Sequence, residues 1–207
     1  MRLLTALTLT LSLFLNACGY VFSSLPDPSL CKAWWTGEIN DEFVEQARAD
    51  FERVQANGCE KVTIALNSPG GYVVAGLETI RLMREAQAGG LIVEVYGGAL
   101  VASMAVVVMA AGSPGHRIAN DHTLVIVHGP RQRETPFEPM RCLGLVPNPT
   151  GENDKILNQI IATMTAVLVE TTGRPWAEVS TWFACGQEQV GDGSLLVSLG
   201  IADALQS

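Results

Sequence analysis

The chain has 207 residues, of which 48% are apolar and 16% are charged, a composition typical of one globular domain with a complete core. Its formal net charge is −8 at pH 7, and no basic stripe is available to neutralise phosphates, so nucleic acid is not expected as a partner. The sequence shows neither an internal repeat nor a second domain, and we expect no metal and no cofactor.

The first residues are typical of an export signal. One arginine precedes the apolar run Leu3–Leu15, which is too short for a membrane-spanning helix but fits a secretory signal. The segment Leu15-Asn16-Ala17-Cys18 resembles the lipobox of bacterial lipoproteins, in which the cysteine is lipidated and becomes the first residue. The resemblance implies a signal peptide over residues 1–17 and a lipid on Cys18. Plain secretory cleavage nearby and a buried N-terminal helix are the alternatives.

A lipid on Cys18 would decide where the protein resides. Several acyl chains are enough for stable membrane anchoring, so we expect the domain on the periplasmic side of the cell envelope. Gly19 would suit outer-membrane sorting in a Gram-negative host. Residues 18–30, rich in Ser and Pro, are predicted to tether this anchor to one domain over residues 31–207.

Four further cysteines remain in the domain, namely Cys31, Cys59, Cys142 and Cys185. An even number in an exported chain favours two disulfides, for which three pairings exist. Cys31 begins the first predicted strand and Cys59 the second, and the starts of parallel strands can be about 5–6 Å apart. This placement favours Cys31–Cys59, and Cys142–Cys185 by default. Four unpaired buried thiols are the alternative.

The first strand and helix are predicted directly after the tether. Lys32–Ile39 is predicted as a strand, and Asn40 and Asp41 supply N-cap oxygens for a helix through about Gln55. Gly58 is expected to end it. The apolar positions of this helix recur at helical spacing and predict one buried stripe: Phe43, Val44, Ala47, Phe51 and Val54.

The second strand leads into a sharp turn. Val62–Leu66 is nearly all apolar, as expected of a strand covered on both faces. In the following Ser68-Pro69-Gly70-Gly71, proline restricts φ while the glycines permit positive φ and close backbone approach. A helix then extends to about Ala88, and Leu91–Tyr96 is the third predicted strand.

A run of small residues follows from Gly97 to Met104, predicted as a turn with Ser103 at the start of a helix. The helix over 105–111 is apolar all round and is therefore predicted to be buried. Ile118 is expected to begin a short strand. Thr123–Val127 is a further strand, and it ends in His128.

The remaining chain begins with an irregular segment, Gly129–Gly151, predicted as either a functional lid or a mobile loop. A long amphipathic helix over Asp154–Thr171 follows, then a short helix over Trp176–Phe183. Asp192 is predicted as the N-cap of a last helix over Gly193–Leu199. The alternation of strands and helices predicts an α/β fold with a mainly parallel sheet covered by helices.

A serine and a histidine fall at the carboxyl edge of this sheet, where ligands and chemistry collect in α/β folds. A serine hydroxyl becomes a useful nucleophile when a base takes its proton and donors stabilise the oxyanion. His128 is the plausible base for Ser103, because His116 and His122 lie among polar residues typical of an exposed turn. Taken alone, however, a strand-end histidine more often caps a core, and small residues before a buried helix more often serve packing.

The order and spacing of several motifs resemble the proteolytic subunit of the Clp protease and its relatives of the crotonase superfold. The likeness extends from Trp35 to Leu205 and includes the 25-residue step from Ser103 to His128. It implies Ser103 as nucleophile, His128 as general base and an oxyanion hole from the N–H groups of Gly71 and Met104. The motifs are Asn67-Ser68-Pro69-Gly70-Gly71, Ala102-Ser103-Met104, Ala111-Gly112, Arg117 and Val127-His128-Gly129-Pro130.

The third member of the catalytic triad is less well matched. The family has an aspartate ahead of the last helix, and counting back from that helix gives Glu188 here, with Asp192 as the competing acid. The expected role of Asp192 is the helix N-cap, and a site without a third acid is a further alternative. Two more departures are Ala99 and Ala105, where family members usually have glycine.

The combined prediction is an ATP-independent serine endopeptidase of the cell envelope that cleaves peptides or unfolded proteins. No ATPase partner is expected, because ATP is not expected outside the cytoplasm. A homo-oligomer is expected from the handle-like helix over 154–171, with its order open, since the Gly129–Gly151 insertion could remodel that contact. The rivals are a catalytically inactive envelope binding or scaffold lipoprotein and an acyl-CoA enzyme of the crotonase type.

Overall fold

The structure is a computed structural model and describes residues 28–132 and 138–207. The predicted signal peptide, Cys18 and the tether through residue 27 lie outside the described residues. None of the helices in these two ranges has the length and hydrophobicity that a membrane span requires.

The strands of the described residues are β1 (Lys32–Thr36), β2 (Lys61–Ser68), β3 (Ile92–Ala102), β4 (Arg117–Asn120), β5 (Leu124–Val127), β6 (Arg131–Gln132), β7 (Arg141–Cys142), β8 (Gln189–Gly191) and β9 (Ala204–Gln206). The α-helices are α1 (Asp41–Ala56), α2 (Val73–Ala88), α3 (Met104–Ala110), α4 (Glu152–Thr172), α5 (Trp176–Val179) and α6 (Gly193–Leu199). Two 3₁₀ helices cover Pro28–Cys31 and Ser180–Phe183.

The central sheet is mainly parallel. Its order is β1-β2-β3-β4-β9, with all of these neighbours parallel. The second half of β3 pairs in parallel with β5, and β5 pairs with β8 in antiparallel fashion. Helices α1, α2, α3 and α4 pack against one another in chain order. The predicted α/β class is therefore confirmed.

Helix α1 is fixed by local signals that the sequence contains. The Asn40 side chain caps it by accepting from Phe43 N at 3.0 Å, and Gly58 follows its end with a φ of +65°. Its buried positions are those of the predicted stripe: Phe43, Val44, Ala47, Phe51 and Val54. Trp35 of β1 lies beneath this stripe, with its ring edge-on to those of Phe43 and Phe51. The period of 3.6 residues was thus sufficient to orient the helix.

The prediction for the third strand was wrong at its end. β3 does not stop at Tyr96 but continues to Ala102, because its register against β2 shifts between Leu66↔Gly97 and Ser68↔Val101. Such a bulge re-aims the strand, and its last residues pair with β5. Glycine is needed at Gly98, where a Cβ would lie 2.8 Å from the Asn67 Cβ. The extension brings Ser103 beside the end of β5.

The Gly129–Gly151 segment is more ordered than a bare loop over its described residues. β6 and β7 form an antiparallel pair in it, and Leu143 N donates to Pro130 O at 2.8 Å. A disulfide joins Cys142 to Cys185, with Cα atoms 5.7 Å apart. We call residues 129–132 and 138–143 the hairpin segment. The disulfide links the hairpin segment to Cys185, which lies shortly before β8.

The second disulfide joins Cys31 to Cys59, with Cα atoms 5.8 Å apart. Both predicted pairings are therefore present in the structure. Cys31 directly precedes β1 and Cys59 lies two residues before β2, so adjacent parallel strands place the two thiols together. The alternative of four unpaired thiols does not hold.

A buried ion pair joins β4 to the C-terminal segment. Arg117 is only 6% exposed, and its Nε donates to Asp203 Oδ2 at 2.8 Å while Asp203 N donates to Arg117 O at 2.7 Å. Burial alone would raise the pKa of Asp203, but the hydrogen bonds from Arg117 outweigh it and hold that pKa below its ordinary value.

Candidate active site

A cleft of about 600 Å³ opens at the carboxyl edge of the sheet. It receives the end of β3, the end of β5, the turn before α2 and the hairpin segment. A cleft of this size can enclose several side chains of a ligand. Its lining residues are Glu38, Pro69, Gly70, Gly71, Tyr72, Val73, Ser103, Met104, His128, Pro130, Arg131, Gln132, Met140 and Met164.

Ser103 stands at a sharp turn between β3 and the buried helix α3. Its φ is +55° and its ψ is −126°, a region that residues with a side chain rarely adopt. Such a conformation costs about 1–3 kcal/mol and persists only where its surroundings enforce it. Here Ser103 N donates to Ile126 O at 2.8 Å, and Val106 N donates to Ser103 O at 3.0 Å. The strained turn presents a half-buried hydroxyl to the cleft.

The glycine turn of 68–71 packs directly on the Ser103 turn. A Cβ on Gly70 would lie 2.6 Å from Ser103 Cβ and 2.9 Å from Met104 N, so no other residue fits without displacement. The buried Ser68 shapes this turn, because its hydroxyl accepts from Gly70 N at 3.1 Å. The two predicted sharp turns therefore meet.

Two backbone amides lie at this meeting point. Gly70 O accepts from Ile39 N, and Tyr72 N donates to Ile39 O, both at 2.8 Å. These two groups bond to Ile39, whereas the N–H of the intervening Gly71 takes no part in this pairing, and Gly71 lines the cleft. Met104 supplies the first amide of α3, which has no partner within a helix. The arrangement suits an oxygen that gains negative charge.

His128 follows the last residue of β5 and also lines the cleft. Its Nδ1 lies 2.6 Å from the Gly129 carbonyl oxygen. Because a carbonyl can only accept, Nδ1 carries a proton, so Nε2 is the acceptor whenever the ring is neutral. This is the tautomer that a general base needs. Within the described residues, no hydrogen bond joins His128 to the Ser103 hydroxyl, an arrangement common before substrate binds.

Glu188 is bound to another partner. Its carboxylate pairs with the guanidinium of Arg131, the first residue of β6. The structure thus gathers Ser103, His128, Gly71 and Met104 around one cleft and leaves the Glu188 carboxylate on Arg131.

Comparison with known proteins identifies the family of this chain. A model of the Clp protease family matches residues 32–184, well over half of the chain. The chain belongs to the Clp protease family. Ser103 and His128 lie inside the matched segment, and Glu188 lies beyond it.

Individual relatives agree with this membership. A protein named ATP-dependent Clp protease proteolytic subunit from Ostreococcus tauri is 34% identical over 94 residues, which are 45% of this chain and 46% of the relative. The ATP-dependent Clp protease proteolytic subunit 1 of Corynebacterium jeikeium (strain K411) is 30% identical over 94 residues, 45% of this chain and 48% of the relative. The chain thus matches about half the length of these curated relatives.

The fold itself matches a solved structure of the same family. The ClpP protease catalytic domain from Plasmodium falciparum superposes with a TM-score of 0.67 over 86% of each chain, at 17% identity. The Clp-like superfold predicted from the sequence is therefore confirmed.

In this Clp family chain Asp192 caps a helix. Its side chain accepts from Ser194 N at 2.9 Å at the start of α6, as the sequence predicted. Hydrogen bonds from the Ser194 side chain and backbone lower the pKa of Asp192. The Asp192 carboxylate therefore serves as the N-cap of α6.

The other two histidines lie outside the cleft. The side chain of His122 is 91% exposed, as expected of a turn. His116 directly follows the exposed turn at 114–115 and its side chain is 35% exposed, but its Nδ1 lies 3.2 Å from the buried carboxylate of Glu94. Burial alone would raise the pKa of Glu94, but hydrogen bonds from Lys61, His116 and Thr63 hold it below its ordinary value. This cluster is a structural feature of the sheet.

Three contributors to the site were missed by sequence reasoning. Arg131 and Glu38 line the cleft, and the Gly129 carbonyl selects the tautomer of His128. Gly129 is held against Phe183, since a Cβ on it would lie 2.1 Å from the Phe183 carbonyl oxygen. The Gly129-Pro130 pair was visible in the sequence, but nothing local indicated which carbonyl would face the ring. Within the described ranges, no group of acidic, His or Cys side chains could hold a metal.

Proposed function

We propose that the chain is a serine peptidase that hydrolyses peptide bonds at the Ser103 cleft. The observation that carries this proposal is the meeting of the strained Ser103 turn, the His128 ring and the amides of Gly71 and Met104 around one cavity. Membership of the Clp protease family supports the same reaction.

Attack on the substrate carbonyl would begin the reaction. His128 Nε2 takes the proton of the Ser103 hydroxyl as its oxygen bonds to the carbonyl carbon. The carbonyl oxygen becomes an oxyanion and accepts from the N–H groups of Gly71 and Met104. Gly129 O keeps the imidazole in the required orientation during this step.

Collapse of this intermediate would break the peptide bond. The imidazolium gives its proton to the leaving amine, and the acyl group stays on Ser103 as an ester. A water molecule then gives a proton to His128 and attacks the ester, releasing the acid and restoring the hydroxyl. Both half-reactions use the same two amides.

Polypeptide is the substrate that fits the cleft. Its walls combine backbone from the 69–71 turn with apolar side chains such as Val73, Met140 and Met164. An extended peptide can pair with such backbone while apolar side chains occupy the remaining volume. Short peptides and unfolded protein segments are therefore the proposed substrates.

The proposed setting is the periplasmic side of the cell envelope, without an ATPase. The resemblance of the first residues to a lipoprotein signal, with Cys18 as the lipidated residue, supports it. So do the disulfides Cys31–Cys59 and Cys142–Cys185, because disulfides persist in oxidising compartments. Labelled palmitate should enter the wild type and be absent from Cys18→Ser, which should also leave the membrane fraction. Incorporation into Cys18→Ser would refute the anchor.

We also propose that the protein assembles as a homo-oligomer. Family membership supports assembly, and Ile156 of α4 and Trp176 of α5 are about half exposed in the single chain. Light scattering on the mature domain would show a mass several times that of one chain. A monomer over the whole accessible concentration range would contradict this proposal.

A fluorophosphonate probe and a fluorogenic peptide test the peptidase proposal together. The wild type should label at Ser103 and cleave the peptide, while Ser103→Ala should lose both by about 10³-fold or more. The matched control is Ser198→Ala, whose exposed hydroxyl donates to Leu195 O on α6. A folded wild type that neither labels nor cleaves would refute the proposal.

One observation favours a second candidate, a catalytically inactive binding or scaffold protein of the envelope. In the described residues the acid matched to the triad, Glu188, is engaged by Arg131. Such a protein would bind peptide in the cleft with measurable affinity, and neither wild type nor Ser103→Ala would take the probe. Equal peptide affinity with labelling of the wild type alone would decide for the peptidase.

A further inference from the structure

Glu188 is located where a partner for His128 should be. The antiparallel register of β5 and β8 pairs Ile126 with Val190 and Val127 with Gln189. Continued by one residue, this register places Glu188 opposite His128. Directly opposite residues of an antiparallel pair project to the same face, with Cβ atoms about 4.5–5.5 Å apart.

The two side chains are nevertheless engaged elsewhere. The Glu188 carboxylate pairs with the Arg131 guanidinium, and His128 Nδ1 bonds to the Gly129 carbonyl oxygen. The carboxylate that could accept a hydrogen bond from the imidazole is therefore paired with Arg131, three residues after His128.

The backbone around this cation is fixed, but the ion pair itself is easy to exchange. The hairpin segment is held by the Cys142–Cys185 disulfide, so Arg131 stays close to Glu188. The side chains of Arg131 and Glu188 are 34% and 40% exposed. An ion pair this accessible to water contributes little to stability and can open without disturbing the fold.

We propose that Arg131 is a positioning residue that competes with His128 for the Glu188 carboxylate. This inference rests on the peptidase proposal for its functional consequence. While Glu188 stays on Arg131, the imidazolium formed during attack is oriented by a neutral carbonyl alone. When Glu188 turns to Nδ1, a negative charge stabilises that imidazolium, and the triad is complete. Arg131 thus sets the fraction of molecules with a complete triad.

A double-mutant cycle tests the competition directly. The four proteins are wild type, Arg131→Gln, Glu188→Gln and the double variant, all of which keep Glu38, the acidic side chain that lines the cleft. The chain contains three histidines, so NMR can follow the titration of His128 separately.

The expected result is non-additive. Removing Arg131 while Glu188 is present should raise the midpoint of the His128 titration more than removing it from Glu188→Gln does. The excess measures a carboxylate that has moved to the ring, because the direct effect of the lost cation is the same in both backgrounds. Equal changes in both backgrounds would overturn the proposal.

The rate of fluorophosphonate labelling at Ser103 is the functional readout. Arg131→Gln should label about two- to fivefold faster than wild type, since an exposed ion pair is a weak competitor. Glu188→Gln should be slower, and the double variant should show no gain over it. A merely structural Arg131 would instead give slower labelling in Arg131→Gln, which would also overturn the proposal.

The matched control is Arg84→Gln, which breaks an exposed ion pair between α2 and Glu170 of α4. It should change neither readout. If the folded wild type takes no label, the peptidase proposal fails. The His128 titration cycle then still decides whether Arg131 and His128 compete for Glu188.

Discussion

Replacing Gly70 by alanine tests the contact between the two turns that build the site. Gly70 has a φ of +91°, and its new Cβ would lie 2.6 Å from Ser103 Cβ and 2.7 Å from Ala102 O. Gly90 is the matched control, because its φ is +93° and no atom lies within 4 Å of a Cβ placed on it. Both substitutions place alanine at a positive φ, but only Gly70→Ala creates a steric clash with the Ser103 turn.

The structure gives the size of the two effects. Alanine in a left-handed conformation costs about 1–2 kcal/mol at either site, and the gain from a stiffer unfolded chain is common to both. Gly70→Ala adds an overpacking cost of about 1–3 kcal/mol. Non-bonded carbon atoms approach each other to about 3.5 Å, so the Gly70 turn and the Ser103 turn must separate by roughly 1 Å. A displacement of that size costs about 10²-fold in reactivity.

Denaturant unfolding and the rate of fluorophosphonate labelling measure these effects separately. Gly90→Ala should lose a little stability and label at the wild-type rate. Gly70→Ala should lose about 1–3 kcal/mol more than Gly90→Ala and label about 10²-fold more slowly. If the two variants unfold alike and Gly70→Ala labels normally, the turns do not touch as described and the oxyanion site must be built differently.

Three further predictions concern interactions outside the cleft. Asp192→Ala should cost about 1 kcal/mol of stability through its lost cap and leave labelling unchanged; a fall in labelling would mean that this carboxylate serves the site. Replacing both Cys142 and Cys185 by serine should lower the free energy of unfolding by about 4 kcal/mol, the chain-entropy value for their separation of 43 residues, and unchanged stability would contradict the cross-link. The pKa of Asp203 is lowered in the folded state, so its ionised carboxylate stabilises the fold. This contribution to the free energy of unfolding is complete above about pH 5 and is lost as pH falls below about 4. Asp203→Asn should flatten this acid limb of the stability curve, and an unchanged limb would show that the Arg117 pair is not responsible.

Secondary structure close to the site was predictable where the signals were local. The α1 stripe, the Asn40 and Asp192 caps and the fully apolar α3 are all consequences of neighbours within a few residues. Strands β8 and β9 were missed because each has three residues, too few for a pattern of alternation to emerge. They are strands only because a partner strand lies beside them.

The sequence by itself determined the candidate nucleophile, the candidate base and the glycine turn of the cleft. His128 and the glycine turn directly follow predicted strands, and Ser103 follows the third predicted strand after a predicted turn. Parallel strands place their carboxyl ends at one edge of the sheet whatever the details of packing. Their meeting in one cleft follows from that topology.

Only the tertiary structure decided how these groups are connected. Three features depend on the positions of segments that are distant along the chain. They are the bulge near Gly98 that extends β3 to Ala102, the hydrogen bond from His128 to the Gly129 carbonyl and the pairing of Glu188 with Arg131. A polar side chain takes the nearest suitable partner in space. That choice depends on strand register and on the hairpin segment, and no local pattern along the chain records it.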